Sequence, residues 1–293
     1  MPTEPAPKDV LEEALSRLDE HLHLIEVEGP STHIAIHPSD LENPGVPQAL
    51  GCYFVGLVAG IVDEDASLTE ELLAVEPDSV AEVRAQISRL IGPNNDFPSD
   101  ARKRFRDRVR NPYIAEVIAH ALVLLRKRRE TACLVGPPAA LKNPHADPRR
   151  QGLDLIGIYV DDGLPAAAIG EAKASRGYGK RRLKEAAAFF SDIDAGKRGV
   201  ELRSELGALK HVLNADLRAG IADGFWRNNC CYLPVIVFTD PIGETADNAD
   251  LGGLDPGQRS VRLVALRLEH FHSFFNEVAN QIRLATEELL PDV

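Results

Sequence analysis

GLDLIGIYVDDGLPAAAIGEAK, residues 152–173, consists of two apolar runs separated by Asp162-Gly163. An Asp-Gly pair between apolar runs is a strong signal for a β-hairpin with a two-residue turn. If these two residues form the turn, Asp161 pairs with Leu164, and the register of the whole hairpin follows. The segment therefore predicts two antiparallel strands, and with them a sheet at the centre of the fold.

The predicted register brings three charged side chains together. Counting back from the turn, Asp154 lies directly opposite Glu171. Side chains alternate between faces along a strand, so Glu171 and Lys173 share a face, and directly opposed residues share it too. The pair falls on a non-hydrogen-bonded position, where Cα atoms are ~4.5 Å apart. Two carboxylates that close repel each other, whereas a divalent cation between them would reverse the sign of the interaction.

This arrangement suits the hydrolysis of phosphodiester bonds. Two carboxylates can hold Mg²⁺, which stabilises charge on the phosphate and lowers the pKa of a bound water. We therefore expect Asp154 and Glu171 to be metal ligands and Lys173 to be a catalytic cation. The competing interpretation is a solvated ion pair, because Glu-x-Lys on an exposed strand face is common and the motif is short.

Asp154, the hairpin, and Glu171-Ala-Lys173 on an apolar strand together resemble the PD-(D/E)XK nuclease superfamily over roughly residues 112–240. The resemblance implies an α/β fold with a restriction-endonuclease-like mixed sheet flanked by helices, and Mg²⁺ or Mn²⁺ as cofactor. It also implies a further metal-binding acid on the helix ahead of the hairpin, and Glu116 is at that position. Asp154, Glu171 and Glu116 would then be the metal ligands.

Two positions depart from the pattern of that superfamily. Leu153 stands where a proline usually precedes the aspartate. On the helix after the lysine strand, a glutamine is common, and this chain offers Lys184 or Glu185 instead. The sequence leaves open whether either of them joins the site.

More specifically, the chain is similar to the HamA effectors of Hachiman anti-phage systems. The similarity rests on an acidic N-terminal α/β region, the segments 152–154 and 170–175, and the ending at 261–288. It implies a role in antiviral defence and a helicase subunit of the HamB type as partner, which restrains the nuclease until DNA is sensed.

Charge is strongly segregated along the chain. The net charge is −16 over residues 1–100, +11 over 101–184 and −7 over 185–293, which sum to −12. The basic stretches 102–110, 126–129 and 176–184 predict a face that binds DNA phosphates, although basic helices are often only solvated. Tyr178 is a candidate for stacking on a base. The expected phosphate contacts are Arg104, Arg108, Arg176, Lys180, Arg181 and Arg182.

The remaining sequence predicts a chain of helices and strands around the hairpin. The break at 92–98 suggests a boundary between an acidic N-terminal α/β region, 1–94, and a nuclease-like domain, 95–293. Asn111-Pro112 is typical of a helix start, and 136–151 is expected to be loop. Periodicity predicts helices at 8–22, 47–62, 67–91, 100–110, 112–129, 180–193 and 270–288, and strands within 23–37 and at 231–239 and 261–268.

Several classes of protein are disfavoured by the sequence. No apolar run approaches the ~18 residues of a membrane span, and the N-terminus is not typical of a signal peptide, so a cytoplasmic protein without membrane contact is expected. The cysteines lack metal-binding spacing. The histidine pair at 33 and 37 falls on a predicted strand, which disfavours a metal site. There is no Walker loop, so the chain has no ATPase motor of its own.

These observations predict a Mg²⁺-dependent DNA endonuclease. The main alternative is a nuclease fold that has lost catalysis and serves as a DNA-binding or interaction subunit. A third interpretation, an acidic regulator, leaves the hairpin unexplained. The acidic N-terminal region is expected to dock a partner or to shield the basic face.

Overall fold

The computed structural model describes residues 7–27, 33–60, 79–127, 133–144, 152–222, 224–240, 251–254 and 259–291. The strands are β1 (His23–Val27), β2 (Ile34–Ser39), β3 (Pro138–Leu141), β4 (Leu155–Asp161), β5 (Leu164–Ser175), β6 (Cys230–Phe238) and β7 (Arg259–Arg267). The α-helices are α1 (Pro7–His21), α2 (Gly45–Val58), α3 (Val80–Ile91), α4 (Asp100–Phe105), α5 (Asn111–Leu124), α6 (Gly179–Asp194), α7 (Gly199–Val212), α8 (Ala215–Ala219) and α9 (Phe271–Leu289).

The described strands form one mixed sheet in the order β1-β2-β7-β6-β5-β4-β3. β2, β7, β6 and β5 are parallel neighbours, whereas β1, β4 and β3 are joined by antiparallel pairing. The predicted α/β class with a mixed sheet and flanking helices is confirmed. β5, which carries Glu171 and Lys173, pairs with the antiparallel β4 on one side and with the parallel β6 on the other.

The predicted hairpin and its register are confirmed. Asp161 pairs with Leu164 and the pairing continues without a shift to Leu155–Gly170. Asp162 and Gly163 both have positive φ, 46° and 79°, as a type I′ turn requires at its two central positions. Local turn chemistry therefore sets which residues meet at the far end of the hairpin.

Helices cover both faces of the sheet, since alternate strand residues point to two apolar cores. Leu155, Leu233 and Val235 belong to the core that packs against α1, α2, α3, α5 and α9. Ile156 and Ile169 belong to the core that packs against α6 and α7. By the same alternation Asp154, Glu171 and Lys173 are on the α6 side of the sheet.

The two sides of the predicted boundary at residue 94 share this sheet and one of its two cores. β2 pairs in parallel with β7, and α1, α2 and α3 pack in the same core as α5 and α9. Hydrogen bonds also hold the segment around the boundary in place, because Asn95 accepts one from Arg110 and donates one to the Asn276 carbonyl. The acidic region is thus part of the structural unit that carries the site.

Residues 100–127 run as one continuous helical path, so the boundary predicted at Asn111-Pro112 is observed as the start of α5, but the predicted N-cap role of Asn111 is wrong. Asn111 is already helical, and its N–H donates to the carbonyl of Arg106 five residues back, within a π-helical turn, Arg106–Arg110. Pro112 has no N–H and cannot donate to the preceding turn. The wider turn accommodates it without ending the helix, and such turns are frequent at functional sites.

Other predicted elements agree with the structure in part. The helices at 8–22, 180–193 and 270–288 and the strands near 231–239 and 261–268 are observed with small shifts at their ends. The expected loop at 136–151 contains β3, and α7 and α8 were not predicted. The first part of the predicted acidic helical stretch, from 67 to its break at 76–78, and the basic residues 128–129 lie outside the described residues. No described helix has the length and apolar character needed to cross a membrane.

Candidate active site

Asp154 is held directly before β4 begins, at the open end of the hairpin. Its Oδ2 accepts a hydrogen bond of 3.0 Å from the backbone N–H of Ala172 on β5. β4 begins only at Leu155, so the carboxylate replaces the strand carbonyl that would otherwise receive that N–H. The backbone of β5 thereby fixes the orientation of the aspartate.

Glu171 and Lys173 complete a charged cluster with Asp154. The Nζ of Lys173 contacts Oε1 of Glu171 and lies 3.7 Å from Oδ2 of Asp154. Glu171 is only 7% exposed, and its Oε2 is buried without a hydrogen-bond partner among the described residues. A buried carboxylate oxygen without a donor is costly, so this atom marks a place where a positively charged group would be favourable.

Burial dominates the electrostatics of the cluster. It raises the pKa of Glu171 to about 7, and repulsion from Asp154 acts in the same direction. Burial also raises the pKa of Asp154, against the opposing effect of Lys173. For Lys173, burial disfavours the charge, but the carboxylates of Glu171 and Asp154 outweigh it and raise the pKa. Lys173 is therefore protonated at neutral pH, whereas burial disfavours the ionised forms of Asp154 and Glu171.

Glu116 joins the cluster from α5, on the opposite face of the sheet. Burial raises the pKa of Glu116 well above its usual range, and the negative charge of Asp154 raises it further. Lys173 and Glu171 also influence this carboxyl. Because β4 does not extend beside this end of β5, an acid on α5 can come within electrostatic range of the hairpin residues. The residue implied by the resemblance is thus brought near the other three.

The donor set suits a divalent cation, although the carboxylates are arranged around an ammonium group here. Three carboxyl groups offer the oxygen ligands that Mg²⁺ and Mn²⁺ prefer. In the structure, Lys173 lies against Glu171 and near Asp154 and supplies the positive charge. The unpartnered Oε2 of Glu171 provides a ligand atom that does not have to give up a hydrogen bond.

The close spacing of metal ligands occurs in a different cluster, because the ligand atoms of Asp154, Glu171 and Glu116 do not all lie within 4.8 Å of one another. Among the described residues, ligand atoms of Glu42, Glu269 and His270 lie within 4.8 Å of one another, and all three groups are at the surface. The carboxylate of Glu42 accepts from the backbone N–H groups of Glu269 and His270, at 3.1 and 2.8 Å. Glu42 therefore caps the segment that leads into α9, and that role accounts for its position.

The residues predicted to contact DNA differ in their surroundings. Arg176 and Arg182 line a cavity at the end of β5. Arg181 and Arg182 both bind Glu185, at 3.0 and 2.6 Å. The other three residues of the predicted face are exposed: Arg104, Arg108 and Lys180.

Of the two candidates on α6, neither belongs to the acidic cluster. Lys184 is exposed. Slight burial acts to raise the pKa of Glu185, but the hydrogen bonds and charges of Arg182 and Arg181 lower it. Glu185 is therefore bound to the two arginines and remains ionised at neutral pH.

Sequence reasoning missed a buried histidine close to the site. His120 is one helical turn beyond Glu116, and its Nδ1 is 2.6 Å from the hydroxyl of Tyr53. Burial lowers the pKa of His120 to about 3, so the ring is neutral. The i, i+4 spacing from Glu116 was the available signal. The pair ties α5 to α2 behind the acid.

Neither the protein-family models nor the curated proteins with which the sequence was compared match it. The chemistry and geometry of the cluster formed by Asp154, Glu171, Lys173 and Glu116 are therefore the basis for inferring a function.

Glu116→Gln is expected to raise the melting temperature of the metal-free protein at pH 8. A carboxyl whose pKa is raised by folding binds its proton more tightly in the folded state, so the fold loses stability as the pH rises above the unfolded pKa. The variant removes that loss, and its advantage should disappear near pH 4. Thermal unfolding in EDTA at both pH values measures the effect.

Glu82→Gln is the control, because the pKa of Glu82 is lowered in the folded protein whereas that of Glu116 is raised. The backbone and side chain of Ser79 lower the pKa of Glu82 through a helix capping box, so this variant should not gain stability at pH 8. A Glu116→Gln protein that melts at a lower temperature than the wild type at pH 8 would show that the carboxylate stabilises the fold.

Proposed function

We propose that the chain is a Mg²⁺-dependent DNA endonuclease of the PD-(D/E)XK type with a restriction-endonuclease-like fold, and that Mn²⁺ can replace Mg²⁺. The observation that carries the proposal is that a buried and a half-buried hairpin carboxylate, a third acid from α5 and a lysine come close together, with one carboxylate oxygen left without a donor. A cluster this unfavourable to the fold is typical of functional sites.

Each residue has a role in the proposed reaction. Asp154, Glu171 and Glu116 would hold the cation, which when bound supplies charge stabilisation at the phosphate and a water of lowered pKa. The ammonium of Lys173 would donate to the attacking water or to a phosphate oxygen, where it offsets the negative charge that develops. The backbone N–H of Ala172 keeps the Asp154 carboxylate oriented throughout.

The sheet supports the same proposal. The motif lies on adjacent antiparallel strands, the fifth and sixth in the seven-stranded mixed sheet. A helix that carries an acid precedes the hairpin, and a basic helix follows it. This order of elements agrees with the arrangement that the resemblance implies. It also places the acids beside the basic residues that would attract a nucleic acid.

The proposal is tested by incubating the full-length protein with supercoiled plasmid and with circular single-stranded DNA. Cleavage of at least one substrate is expected with Mg²⁺ or Mn²⁺ and none with EDTA. Stable binding of DNA without cleavage under any of these metals would instead favour the inactive nuclease-fold subunit. A protein that neither binds nor cleaves DNA would exclude both functions.

We also propose that the nuclease works in antiviral defence under the control of a HamB-type helicase. The similarity to HamA effectors favours such a partner, and the 293 residues themselves contain no Walker loop. Co-expression with a helicase chain encoded beside it, followed by affinity purification, should recover a complex whose nuclease activity is lower than that of the chain alone. Failure to co-purify would count against this form of control.

A further inference from the structure

A basic cavity lies at the carboxyl end of β5, directly beyond the catalytic lysine. Its volume is about 270 Å³. It lies between the π-helical turn, the start of α6 and the start of α9, and Ala174 and Ser175 form its floor. Its polar and aromatic lining includes Arg106, Asn111, Arg176, Tyr178, Arg182 and His272. We call it the strand-end cavity.

The strand-end cavity carries a surplus of positive charge. Arg106 is paired with Asp107, at 2.7 Å, and Arg182 with Glu185. Arg176 is exposed and has no ion pair in the part of the chain that the structure describes. The Nε of Arg182 is buried without a hydrogen-bond partner among these residues. Two guanidinium groups therefore have donors available for an anion, and phosphate is the anion that guanidinium groups match best.

An aromatic ring stands at the same cavity. Tyr178 is 67% exposed, and it is not part of either core cluster of the described residues. Bases that are not paired stack on exposed aromatic rings. In a double helix the faces of the bases are covered by their neighbours, so this contact requires an unpaired nucleotide.

The size of the strand-end cavity also favours a single unpaired nucleotide. About 270 Å³ is near the lower end of the roughly 300–1,000 Å³ range of small-molecule sites. It therefore suits one nucleotide and is too small to enclose a duplex. A strand rises ~3.3 Å per residue, so Arg176 begins roughly 10 Å beyond Lys173. That separation places a bound nucleotide beside the one that is cleaved.

We propose that the strand-end cavity binds an unpaired nucleotide of the DNA strand, with its phosphate at Arg176 and Arg182 and its base stacked on Tyr178. This inference rests on the proposed nuclease function and specifies its substrate. Single-stranded DNA, or a duplex with a frayed end, should bind better than an intact duplex.

The test measures binding of a fluorescent fifteen-residue thymidine oligonucleotide and of a blunt hairpin duplex to the full-length protein in EDTA. We expect Tyr178→Ala to weaken single-strand binding about 5- to 100-fold, Tyr178→Phe to retain it, and both variants to leave duplex binding unchanged. Arg176→Ala should weaken single-strand binding, whereas Arg203→Ala, at an exposed arginine on α7, should not.

Equal affinity for the two DNA forms, or single-strand binding that is unaffected by Tyr178→Ala, would overturn the inference. The assay contains no metal and does not depend on cleavage, so its result is separable from that of the nuclease test. If the wild type cleaves DNA but Tyr178→Ala binds normally, only the strand-end cavity loses its role. If binding behaves as expected and no metal supports cleavage, the proposed catalysis fails instead.

Discussion

Asp154→Asn is expected to lower the rate of Mg²⁺-dependent DNA cleavage about 10³-fold or more while leaving the protein folded. The amide removes the charge that would hold the cation, and losing a group that stabilises a charged transition state costs about 10²–10³ in rate even without loss of a metal. The amide oxygen can still accept the N–H of Ala172, at 3.0 Å in the wild type. Rates with plasmid and single-stranded substrates, together with a melting curve, measure both effects.

Asp161→Asn is the matched control for this variant. Asp161 is the last residue of the same strand, beside the turn and away from the acidic cluster. The same chemical change there should alter the cleavage rate less than about twofold. Wild-type activity in Asp154→Asn, or equal losses in the two variants, would remove Asp154 from the reaction.

Arg110→Ala should have the largest effect on stability. The side chain is fully buried and donates to the amide oxygens of Asn95, Asn111 and Asn276 at 2.8–3.0 Å. Burial, reinforced by the charge of Arg283, lowers the pKa of Arg110 to about 10, so it stays charged at neutral pH. Truncation would leave one buried and two half-buried amide oxygens without this donor, and it would open a cavity; together these cost about 3–5 kcal/mol of unfolding free energy.

Arg108→Ala is the control, because that arginine is two residues away and exposed. Urea denaturation should show a change below about 0.5 kcal/mol for Arg108→Ala. If the two variants unfold at similar urea concentrations, the hydrogen bonds of Arg110 do not stabilise the packing of the 92–98 segment against α5 and α9. Residues 1–94 would then be less firmly joined to the rest than the shared sheet suggests.

The hairpin was predictable because its determinants are local. The turn residues Asp162 and Gly163 fix the register, and the side-chain alternation then fixes which charges meet. Glu116 could not be placed by such counting, because its approach depends on how α5 packs against the sheet. The resemblance to a nuclease family, and not periodicity, identified that position.

Other features depend on contacts between distant parts of the chain. The parallel pairing of β2 with β7 joins residues more than two hundred positions apart, and no local pattern predicts it. β3 consists of Pro-Ala-Ala-Leu, which lacks the β-branched and aromatic residues typical of strands. Arg110 lies in a basic run that indicates a solvated surface, yet three asparagines from separate segments surround it.

The most direct test of the central claim is to map where a divalent cation binds. Fe²⁺ in place of Mg²⁺, with ascorbate and peroxide, generates hydroxyl radicals that cut the polypeptide beside the ion. We predict cuts close to Glu116, Asp154 and Glu171, suppressed by excess Mg²⁺ and lost in Asp154→Asn. Cuts near Glu42 and Glu269 instead, or none that Mg²⁺ suppresses, would contradict a metal site in the hairpin.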